Sequence, residues 1–478
     1  MNNLVLSEII NVEEERLFFH WNETQHNFNI TRCIHQMFED IVQKIPHGIA
    51  LIYQNEKLTF DELNKRANRF AHFLLTKGVG PGCYVGVCTY RNLDLIVTLL
   101  AILKTGAAYL TLDPRSPIKH LQYQLNDSGA MLLVTTSFLQ NKLNSYRNVI
   151  VNYNVNYFLN FPDVNIESAA KVQDIVDIFY TSGTTSHPKA VCSSHLNRLN
   201  RFFWMWEHYP FTKDETGCQK TSLVFVDSSW EIWGCLLQGV KLVIIPEELI
   251  LDPGKFIDSL AQHNVTRLVV VPSFLEMLLK NCYQEINKLT GLKICSISGE
   301  KLTSALANKV TSLLPNCIFL NLYGQTEGGG DSLFYQVPSK IHLGSIIPIG
   351  RPIANMKAYV LNKTLSLAKI LEVGELAIAG YGLAENYLNN PTRTATQFML
   401  NTFCKEPGYE RLYLTGDLVR WLSDGSLEYI GRKDNQIKLR GYRIEPGEIE
   451  HAISSYDGIQ QSVVLAREKQ ASESTYKY

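Results

Sequence analysis

Apolar residues recur at helical spacing in two segments that follow residue 30. The first stripe is stopped by a proline at position 46, and its members are Ile34, Met37, Phe38, Ile41 and Val42. The second segment begins with Thr59 and Glu62, whose spacing of three predicts a capping box, and it continues to Gly78. Both segments are therefore predicted to be amphipathic helices that pack against a core.

Beyond residue 80 the hydrophobic period switches repeatedly between that of a strand and that of a helix. The predicted elements are strand 84–89, helix 93–104, strand 107–112, helix 118–126 and strand 131–135. The same alternation returns between residues 268 and 320. Strands and helices that alternate in units of this length predict right-handed crossovers and a largely parallel sheet, so the predicted fold class is α/β.

The pattern changes character near both ends of the chain. Residues 1–28 are polar apart from scattered aromatic residues, which favours a linker or arm lying on a neighbouring surface over a core segment. These aromatic residues are Phe18, Phe19, Trp21 and Phe28. Near Gly431 an apolar stretch gives way to the charged run Arg432-Lys433-Asp434. We therefore predict a boundary at each of these two positions.

Composition narrows the class of protein. The chain has 478 residues, of which 45% are hydrophobic and 19% charged, as in ordinary globular proteins. A formal net charge of −1 argues against a general nucleic-acid binder. None of the ten cysteines forms a CxxC pair or has histidines at zinc-ligand spacing, which favours a reduced compartment. We find no signal segment and no membrane-spanning run, so a cytoplasmic location is expected.

The strongest local motif is a loop rich in Gly, Ser and Thr at residues 180–189. It follows the apolar strand 175–180 and ends with Pro188-Lys189. Backbone N–H groups and hydroxyls in such a loop are suited to phosphate oxygens, and Lys189 adds a cation. The spacing is not that of a Walker A loop. A surface turn is the alternative, but the preceding strand and the terminal lysine favour an anion-binding loop.

Other blocks then occur in a characteristic order along the chain. They are Leu58–Leu63, Leu103–Leu110, Asn321–Glu327, Gly374–Gly380, Tyr413–Asp417 and Gly431–Arg443. With these blocks the chain resembles the adenylate-forming superfamily, and most closely the adenylation domains of nonribosomal peptide synthetases. The resemblance extends over nearly all of the chain, and the segment Trp21-Asn22-Glu23-Thr24 is similar to the linker that follows a condensation domain.

The resemblance implies a fold and a division of the chain. Residues 29–431 would form a large α/β core of two helix-packed sheets and a small distorted barrel. Residues 432–434 would form a hinge, and residues 435–478 an incomplete α+β subdomain with one helix and two strands. Residues 1–28 would be the condensation–adenylation linker.

The resemblance also implies how a nucleotide is held. The loop around the β- and γ-phosphates would consist of Thr181, Ser182, Gly183, Thr184, Thr185 and Lys189. Tyr323 would stack on adenine, Thr326 would contact the α-phosphate, and Asp417 would accept hydrogen bonds from both ribose hydroxyls. Further nucleotide contacts are implied for Gly299, Glu300, Asn321, Leu322, Gly324, Tyr429 and Arg432.

The implied chemistry joins two anions, a carboxylate and the α-phosphate of ATP, so charge must be neutralised in the site. Glu327 would hold Mg²⁺, a hard cation that prefers carboxylate and phosphate oxygen. The residues to which the resemblance assigns catalysis are Thr184, Lys189, Thr326 and Glu327. Asp434 would lie at the hinge. The product would pass to the phosphopantetheine thiol of a peptidyl carrier protein.

The implied amino-acid pocket departs from the family pattern. Members that activate α-amino acids have an Asp at the position of Val226, where it holds the α-ammonium, whereas here the carboxylate stands one place on, at Asp227. If the segment is extended, adjacent side chains point to opposite sides, so this shift is not trivial. The implied pocket residues are Val226, Asp227, Trp230, Val269, Ser296, Ser298, Leu322, Gly330 and Asp331.

This set resembles the one associated with β-alanine and related β-amino acids. The ammonium of a β-amino acid lies one carbon farther from the carboxylate, where Asp227 and Asp331 would bind it through charge-assisted hydrogen bonds. Two alternatives remain open at this point. Asp227 or Ser228 would cap a helix starting near Ser229, and Asp331 would be a solvated loop acid. The polar Ser296 also leaves a β-amino acid with a second polar group open.

Three departures favour weak catalysis. Ser186 and Ala190 stand where glycine is usual, and the family's C-terminal Asn-Gly-Lys block, whose lysine contacts the carboxylate and the α-phosphate, is missing before Tyr478. Taken with the pocket residues, the leading hypothesis is a β-amino-acid adenylation domain. The alternatives are an acyl- or aryl-acid CoA ligase of the same superfamily, disfavoured because such a pocket gains nothing from buried carboxylates, and a nucleotide-binding remnant without turnover.

Overall fold

A computed structural model describes residues 12–143, 149–182, 188–454, 456, 458–459 and 461–465. The α-helices are Val12–Trp21, Ile34–Lys44, Phe60–Thr76, Leu93–Lys104, Ile118–Ser128, Ser137–Lys142, His195–His208, Asp227–Ser229, Glu247–Ile250, Pro253–Gln262, Pro272–Asn281, Ser304–Leu313, Pro391–Gln397 and Pro446–Ser454. Short 3₁₀ turns occur at Val155–Phe158, Glu285–Lys288 and Thr326–Gly328, and a π-helical turn occurs at Trp230–Gly234. No helix among these residues is both long enough and apolar enough to cross a membrane.

Two helix-packed sheets form the larger part of the fold. The first contains seven strands in the order Asn386–Tyr387, Lys189–Ser194, Ile175–Thr181, Ala108–Thr111, Tyr84–Cys88, Leu132–Thr135 and Val149–Asn152. Its last five strands are mutually parallel, as the sequence period predicts. The second sheet has five strands in the order Arg267–Val270, Ile294–Ile297, Ile318–Tyr323, Leu333–Gln336 and Arg351–Pro352, the first three of them parallel.

Smaller sheets complete the architecture. A four-stranded sheet has the order Glu56–Thr59, Ile49–Tyr53, Lys241–Ile244 and Thr216–Gln219. An antiparallel sheet with the character of a half-barrel contains Met356–Leu361, Gly374–Gly380, Arg411–Trp421, Phe398–Leu400 and Leu427–Arg432. A final hairpin pairs Ile437–Leu439 with Tyr442–Ile444. The α/β fold class is thus confirmed.

The two helices predicted from the earliest stripes are present and packed as expected. Phe60–Thr76 begins with the predicted capping box, in which the Thr59 hydroxyl accepts the Glu62 N–H and the Glu62 carboxylate accepts the Thr59 N–H. Its apolar face is buried against helix Leu93–Lys104, which is buried on all sides and lies between this helix and the seven-stranded sheet. Local capping and tertiary burial therefore agree here.

The N-terminal arm is attached to the half-barrel sheet. Residues 12–21 form a helix, and the ring of Trp21 lies 4.9 Å from that of Trp421, centroid to centroid. The Asn22 side-chain amide pairs with the backbone of Ala358, donating at 2.9 Å and accepting at 2.7 Å. The expectation of a surface arm is wrong for Phe18, which is buried in the main core, because its ring stacks on Trp421.

The C-terminal hairpin 437–444 covers one side of a cleft in the core. The N–H of Gly441 donates to the Glu300 carboxylate at 3.0 Å, and the ring of Tyr442 meets Phe225 edge-on at 4.8 Å. Helix Pro446–Ser454 follows, so the predicted content of two strands and one helix after residue 434 is present among the described residues. The hairpin therefore brings residues from the end of the chain to the cleft.

Candidate active site

A cavity of about 280 Å³ opens at the carboxyl ends of parallel strands from both large sheets. Thr181, Ser298 and Gly324 line it, and each lies at or directly after the end of such a strand. Ligands of α/β proteins bind at this edge, since the loops that follow the strands converge there. The C-terminal hairpin supplies the opposite wall through Lys438 and Tyr442.

Asp227 is the carboxylate of the cavity with the fewest partners. Its Oδ2 accepts one hydrogen bond, from the Ser298 hydroxyl at 3.2 Å. Burial and, next, the negative charge of Asp331 raise the pKa of Asp227 to about 7, while Arg201 opposes this rise. A cationic group that entered the cavity beside Asp227 would hold it in the ionised form.

Two expectations about Asp227 are wrong. Val226 has φ −58° and ψ −30°, so residues 226 and 227 lie on a helical turn and not on an extended segment. Their side chains therefore diverge by roughly 100° instead of pointing to opposite sides. The capping alternative also fails, because the helix begins at Asp227 itself, and neither Val226 nor Ser229, the residues before its two turns, makes a side-chain cap.

Asp331 is not a solvated loop acid, which corrects the second alternative. Its carboxylate is buried, and its Oδ2 accepts hydrogen bonds from Nε of Arg201 at 3.0 Å and from Nη2 at 2.5 Å. The guanidinium of Arg201 lies 4.4 Å from the centre of the Trp230 ring. Asp331 therefore lines the cavity as one member of a buried ion pair.

The implied pocket residues divide into two groups. Those that line the cavity are Val226, Asp227, Ser298, Gly330 and Asp331. Those that lie behind it are Trp230, Val269, Ser296 and Leu322, all buried, of which the first three border a separate void of about 10 Å³. The second group can shape the cavity only through the first.

Two glycines explain how the pocket and the nucleotide motif come together. Gly330 has φ +105°, a conformation that L side chains rarely adopt, so a side chain at this position would be strained. A Cβ on Gly324 would lie 1.7 Å from the carbonyl oxygen of Gly330. The backbone of the Asn321–Glu327 motif therefore touches the pocket loop directly.

A second cluster surrounds Asp417, which is fully buried on strand Arg411–Trp421. Its Oδ2 accepts the Tyr323 hydroxyl at 2.5 Å and the Gln325 amide at 2.8 Å, while Arg432 donates to its Oδ1 at 2.9 Å. Arg432 also donates to Asp434 at 2.9 and 2.7 Å. Four of the sequence-predicted residues, Tyr323, Asp417, Arg432 and Asp434, are thus brought into one network.

A third cluster is centred on the buried carboxylate of Glu327. Nζ of Lys189 lies 2.7 Å from its Oε1, Nη1 of Arg443 lies 3.2 Å from its Oε2, and the Tyr387 hydroxyl donates to Oε1 at 2.9 Å. Burial opposes its ionisation, but Lys189 and Arg443 together hold the pKa of Glu327 well below its usual range. Burial lowers the pKa of Lys189 to about 8, although Glu327 counteracts this.

The assignment of Mg²⁺ to Glu327 can be tested against this packing. Both carboxylate oxygens are engaged by cations, and the described residues contain no group of three or more acidic, His or Cys side chains suited to a metal. In this arrangement Glu327 does not fit a divalent cation, because Lys189 and Arg443 already occupy the positions around its oxygens. Arg443 comes from the C-terminal hairpin, so that segment would have to withdraw before a cation could approach.

The phosphate loop is described only at its two ends. Gly183, Thr184, Thr185 and Ser186 lie outside the described residues. The hydroxyl of Thr181 is buried at the cavity wall and has no hydrogen-bond partner among the described residues, so it is available to a hydrogen-bonding ligand. Ser182 donates to the carbonyl of Arg443 at 2.6 Å. Thr326 also lines the cavity, on the 3₁₀ turn after the Asn321–Tyr323 strand segment.

Of the other residues predicted to contact the nucleotide, some lie at the cavity and others are buried in the core. Gly299 lines the cavity, and Glu300 lies beside it, where its carboxylate holds the hairpin at Gly441. Asn321 is buried and donates to the carbonyl of Pro348 at 2.7 Å. Leu322 and Tyr429 belong to the main core or pack against it and do not line this cavity. These two side chains therefore have an evident packing role.

Sequence reasoning missed several residues that the fold brings to the cavity. Gln436, Lys438, Tyr442 and Arg443 arrive through the C-terminal hairpin, whose position no local pattern specifies. Lys438 lies over the Tyr323 ring, with Nζ 5.6 Å from its centroid. Arg201 had a signal, since a charged residue in the otherwise buried helix His195–His208 requires a buried partner.

The profile of the family described as AMP-binding enzyme matches residues 38–388, and the chain belongs to this family.

Several bacterial synthases are similar to this chain. The chain is 36% identical over 464 residues to gramicidin S synthase 2 of Brevibacillus brevis, covering 96% of this chain and 10% of that protein. It is 37% identical over 467 residues to tyrocidine synthase 3 of Brevibacillus parabrevis, covering 97% of this chain and 7% of that protein. The chain therefore spans about a tenth or less of the length of these relatives.

Among solved structures, the fold is similar to that of the nonribosomal peptide synthetase FmoA3 (S1046A). The TM-score is 0.82 at 27% sequence identity, over 89% of this chain and 45% of that one. The same protein has been solved with AMPPNP and with α-methyl-L-serine-AMP. The similarity supports the assignment of the fold as that of a synthetase adenylation domain.

Proposed function

We propose that this protein activates a small amino acid, β-alanine or another β-amino acid, as its acyl-adenylate for nonribosomal peptide synthesis. The observation that carries the proposal is Asp227, a carboxylate with a single hydrogen-bond donor in a cavity that also contains Thr181 and Thr326. Family membership supports the reaction, and the cavity supports a small cationic substrate.

The position of the carboxylate supports a β-amino acid. Val226 takes the place from which family members contact the α-ammonium, and it presents an alkyl group to the cavity. Asp227 reaches the same cavity from one residue on along a helical turn, with Ser298 holding its Oδ2. An ammonium displaced by one carbon from the α position meets this carboxylate instead. Charge-assisted hydrogen bonds of this kind are among the strong polar contacts in proteins.

The proposed reaction balances without a further reagent. A carboxylate oxygen of the amino acid attacks the α-phosphorus of ATP, a new P–O bond forms, and the bond to pyrophosphate breaks. The acyl group then passes to a carrier-protein phosphopantetheine thiol, with formation of a thioester, release of AMP and loss of the thiol proton to solvent. The proposal includes ATP as the co-substrate and a carrier protein as the acceptor. It also includes the division of the chain into an arm, a core, a hinge and a C-terminal segment.

The residues that would act on the nucleotide are those already brought together. Asp417 would accept the ribose hydroxyls in place of Tyr323 and Arg432, and Thr326 with the 181–189 loop would bind the phosphates. Lys189 would stabilise phosphate charge once it is released from Glu327. Adenylation enzymes of this family generally use Mg²⁺, but in the described arrangement Glu327 is paired with Lys189 and Arg443 and does not offer a ligand for it.

Pyrophosphate exchange tests the proposal. The substrates are β-alanine, 3-aminobutyrate, 2,3-diaminopropionate, glycine and L-alanine, each offered to this chain. Exchange with a β-amino acid supports the proposal. Exchange with α-amino acids alone contradicts the pocket assignment but not the reaction. ATP binding without exchange for any acid supports a nucleotide-binding remnant, and exchange with a purely aliphatic or aryl acid supports a CoA ligase.

A further inference from the structure

Arg201 is a buried cation that the proposed reaction does not use. It lies on helix His195–His208, whose residues are nearly all buried, and only 3% of its surface is exposed. Its Nε and Nη2 both donate to Oδ2 of Asp331, and its Cζ lies over Trp230, 4.4 Å from the ring centre. Its Nη1 is buried and has no hydrogen-bond partner in the part of the chain that the structure describes.

Such a residue is costly to bury, so its retention at this place needs a partner or a function. The same helix carries a second buried arginine, Arg198, whose Nε and Nη2 bond the two oxygens of Asp177 at 2.8 and 2.7 Å. That pair lies away from the cavity, whereas Asp331, the partner of Arg201, lines it. The two arginines therefore offer a matched comparison between a purely structural ion pair and one at the pocket wall.

The charges at this end of the cavity leave room for one cation. Asp227 and Asp331 are both acidic, and Arg201 supplies one positive charge. Glu231, the next acid, accepts the backbone N–H groups of Lys220 and Thr221 and lies outside this cavity. The facing hairpin contributes Lys438 and Arg443 to the cavity wall. Arg443 is paired with Glu327, while Lys438 lies over the Tyr323 ring, where its charge interacts with those of Asp417 and Asp227.

Of the three acids that line the cavity among the described residues, Asp113 is paired with Arg115 and Asp331 with Arg201, whereas Asp227 is hydrogen-bonded only by the Ser298 hydroxyl. Asp227 is therefore the acid that remains to bind an ammonium.

We propose that Arg201 is a specificity-determining residue that pairs Asp331 and so restricts the pocket to acids with a single ammonium group. The proposal rests on the proposed function, and it narrows the substrate class to β-amino acids without a second amine. A second ammonium beside Asp331 would meet the guanidinium at close range, and like charges in a buried site repel strongly.

The test compares three acids of nearly equal size. β-Alanine has one amine, 2,3-diaminopropionate has a second one, and isoserine carries a neutral hydroxyl in place of that second amine. Non-hydrolysable acyl-sulfamoyl adenosine analogues of each are titrated into the protein by calorimetry, so that binding is measured without turnover. The variants are Arg201→Met, the double variant Arg201→Met/Asp331→Asn, and Arg198→Met as the matched control on the same helix.

For the wild type we expect the diamino analogue to bind at least about tenfold more weakly than the isoserine analogue, as one unfavourable charge contact predicts. Arg201→Met should reduce this ratio by about tenfold or reverse it, since Asp331 becomes free to bind the second ammonium. The double variant should restore the preference for a single amine, because one acid again remains. Arg198→Met should lower thermal stability without changing the ratio.

Two failures are distinguishable. If the wild type binds none of the analogues and exchanges pyrophosphate with no β-amino acid, the proposed function is refuted. If the wild type prefers β-alanine but Arg201→Met shifts all three affinities equally, as Arg198→Met would through stability alone, Arg201 is a structural residue and this inference is refuted.

Discussion

Substitution of Asp227 by Asn tests the central contact of the proposed pocket. Asn has almost the same shape and retains an oxygen for the Ser298 hydroxyl, so the hydrogen bond at 3.2 Å can persist. The change removes the negative charge that would bind the substrate ammonium. Its effect on binding therefore reports the ion pair and not the packing of the cavity.

The magnitude follows from the surroundings of this carboxylate. Losing one partner of a partly buried charge pair typically costs about 2–4 kcal/mol, which corresponds to roughly a 30- to 1000-fold loss of affinity. Arg201 and Asp331 remain paired in the variant. We therefore expect the kcat/KM for β-alanine to fall by about 100-fold, with little change in the affinity for ATP.

The pH dependence provides a second signature with a definite sign. Because the pKa of Asp227 is raised to about 7, roughly one tenth of it is ionised at pH 6 and nine tenths at pH 8. Affinity for a single-ammonium acid should therefore increase about tenfold between pH 6 and 8 in the wild type. In the Asn variant this dependence should disappear.

Asp227→Asn should increase the free energy of unfolding at pH 8, although it weakens substrate binding. A raised carboxyl pKa means that the folded state favours the protonated form, so this contribution is present below the unfolded value of 3.8 and is lost as pH rises through about 7. Asn removes this loss. The shift sets an upper limit of about 4 kcal/mol, and since Asp227 borders an open cavity we expect about 1–2 kcal/mol of added stability at pH 8.

Calorimetric titration of the β-alanyl analogue at pH 6, 7 and 8, together with urea unfolding at pH 6 and 8, measures both effects. Ser298→Ala is the control that leaves the charge and removes only its hydrogen-bond donor. An affinity that does not vary with pH in the wild type, or an Asn variant that binds normally, would refute the assignment of Asp227 as the ammonium anchor.

Three other substitutions test the remaining parts of the structure. Trp21→Ala should lower the free energy of unfolding by about 2 kcal/mol, because it removes the contact with Trp421. The control is Phe19→Ala, which should change this free energy by no more than about 0.5 kcal/mol, since the Phe19 side chain is 51% exposed. Equal effects of the two substitutions in urea unfolding would show that the arm is not packed. Asp417→Asn should weaken ATP binding by at least about tenfold in calorimetry, because it removes the carboxylate charge that would accept hydrogen bonds from the ribose hydroxyls. It also removes one of the two charged partners of Arg432 among the described residues, the other being Asp434. Unchanged ATP affinity would exclude a ribose contact. Gly324→Ala should cost about 1–3 kcal/mol and disturb both sites, because its Cβ meets the carbonyl of Gly330; a fully stable and active variant would contradict this close approach.

Much of the fold was accessible from the sequence. Helix Leu93–Lys104 has the predicted bounds, and the strands at residues 84, 108 and 132 begin within one residue of prediction. These elements are set by local hydrophobic period, and their parallel pairing follows from the lengths of the connecting helices. The alternating hydrophobic period predicted the α/β class, and the resemblance carried by the ordered motifs pointed to Tyr323, Asp417, Arg432 and Asp434.

Other features could be decided only by tertiary contact. The backbone of residues 226–227 is helical and leads directly into the buried Trp230–Gly234 turn, whereas the local capping pattern predicted a helix only from near Ser229. Residues far apart in sequence, such as Arg201 and Asp331, meet through packing of a helix against a loop 130 positions later.

The sequence by itself determined the family, the alternation of elements and the identity of the acids in the pocket. The tertiary structure decided which of those acids remains available, since Arg201 pairs Asp331 and leaves Asp227 with a single hydroxyl donor. It also placed Arg443 on Glu327. The physical reason is that periodicity reports which faces are buried, whereas the partner of a buried charge depends on the three-dimensional arrangement of the whole chain.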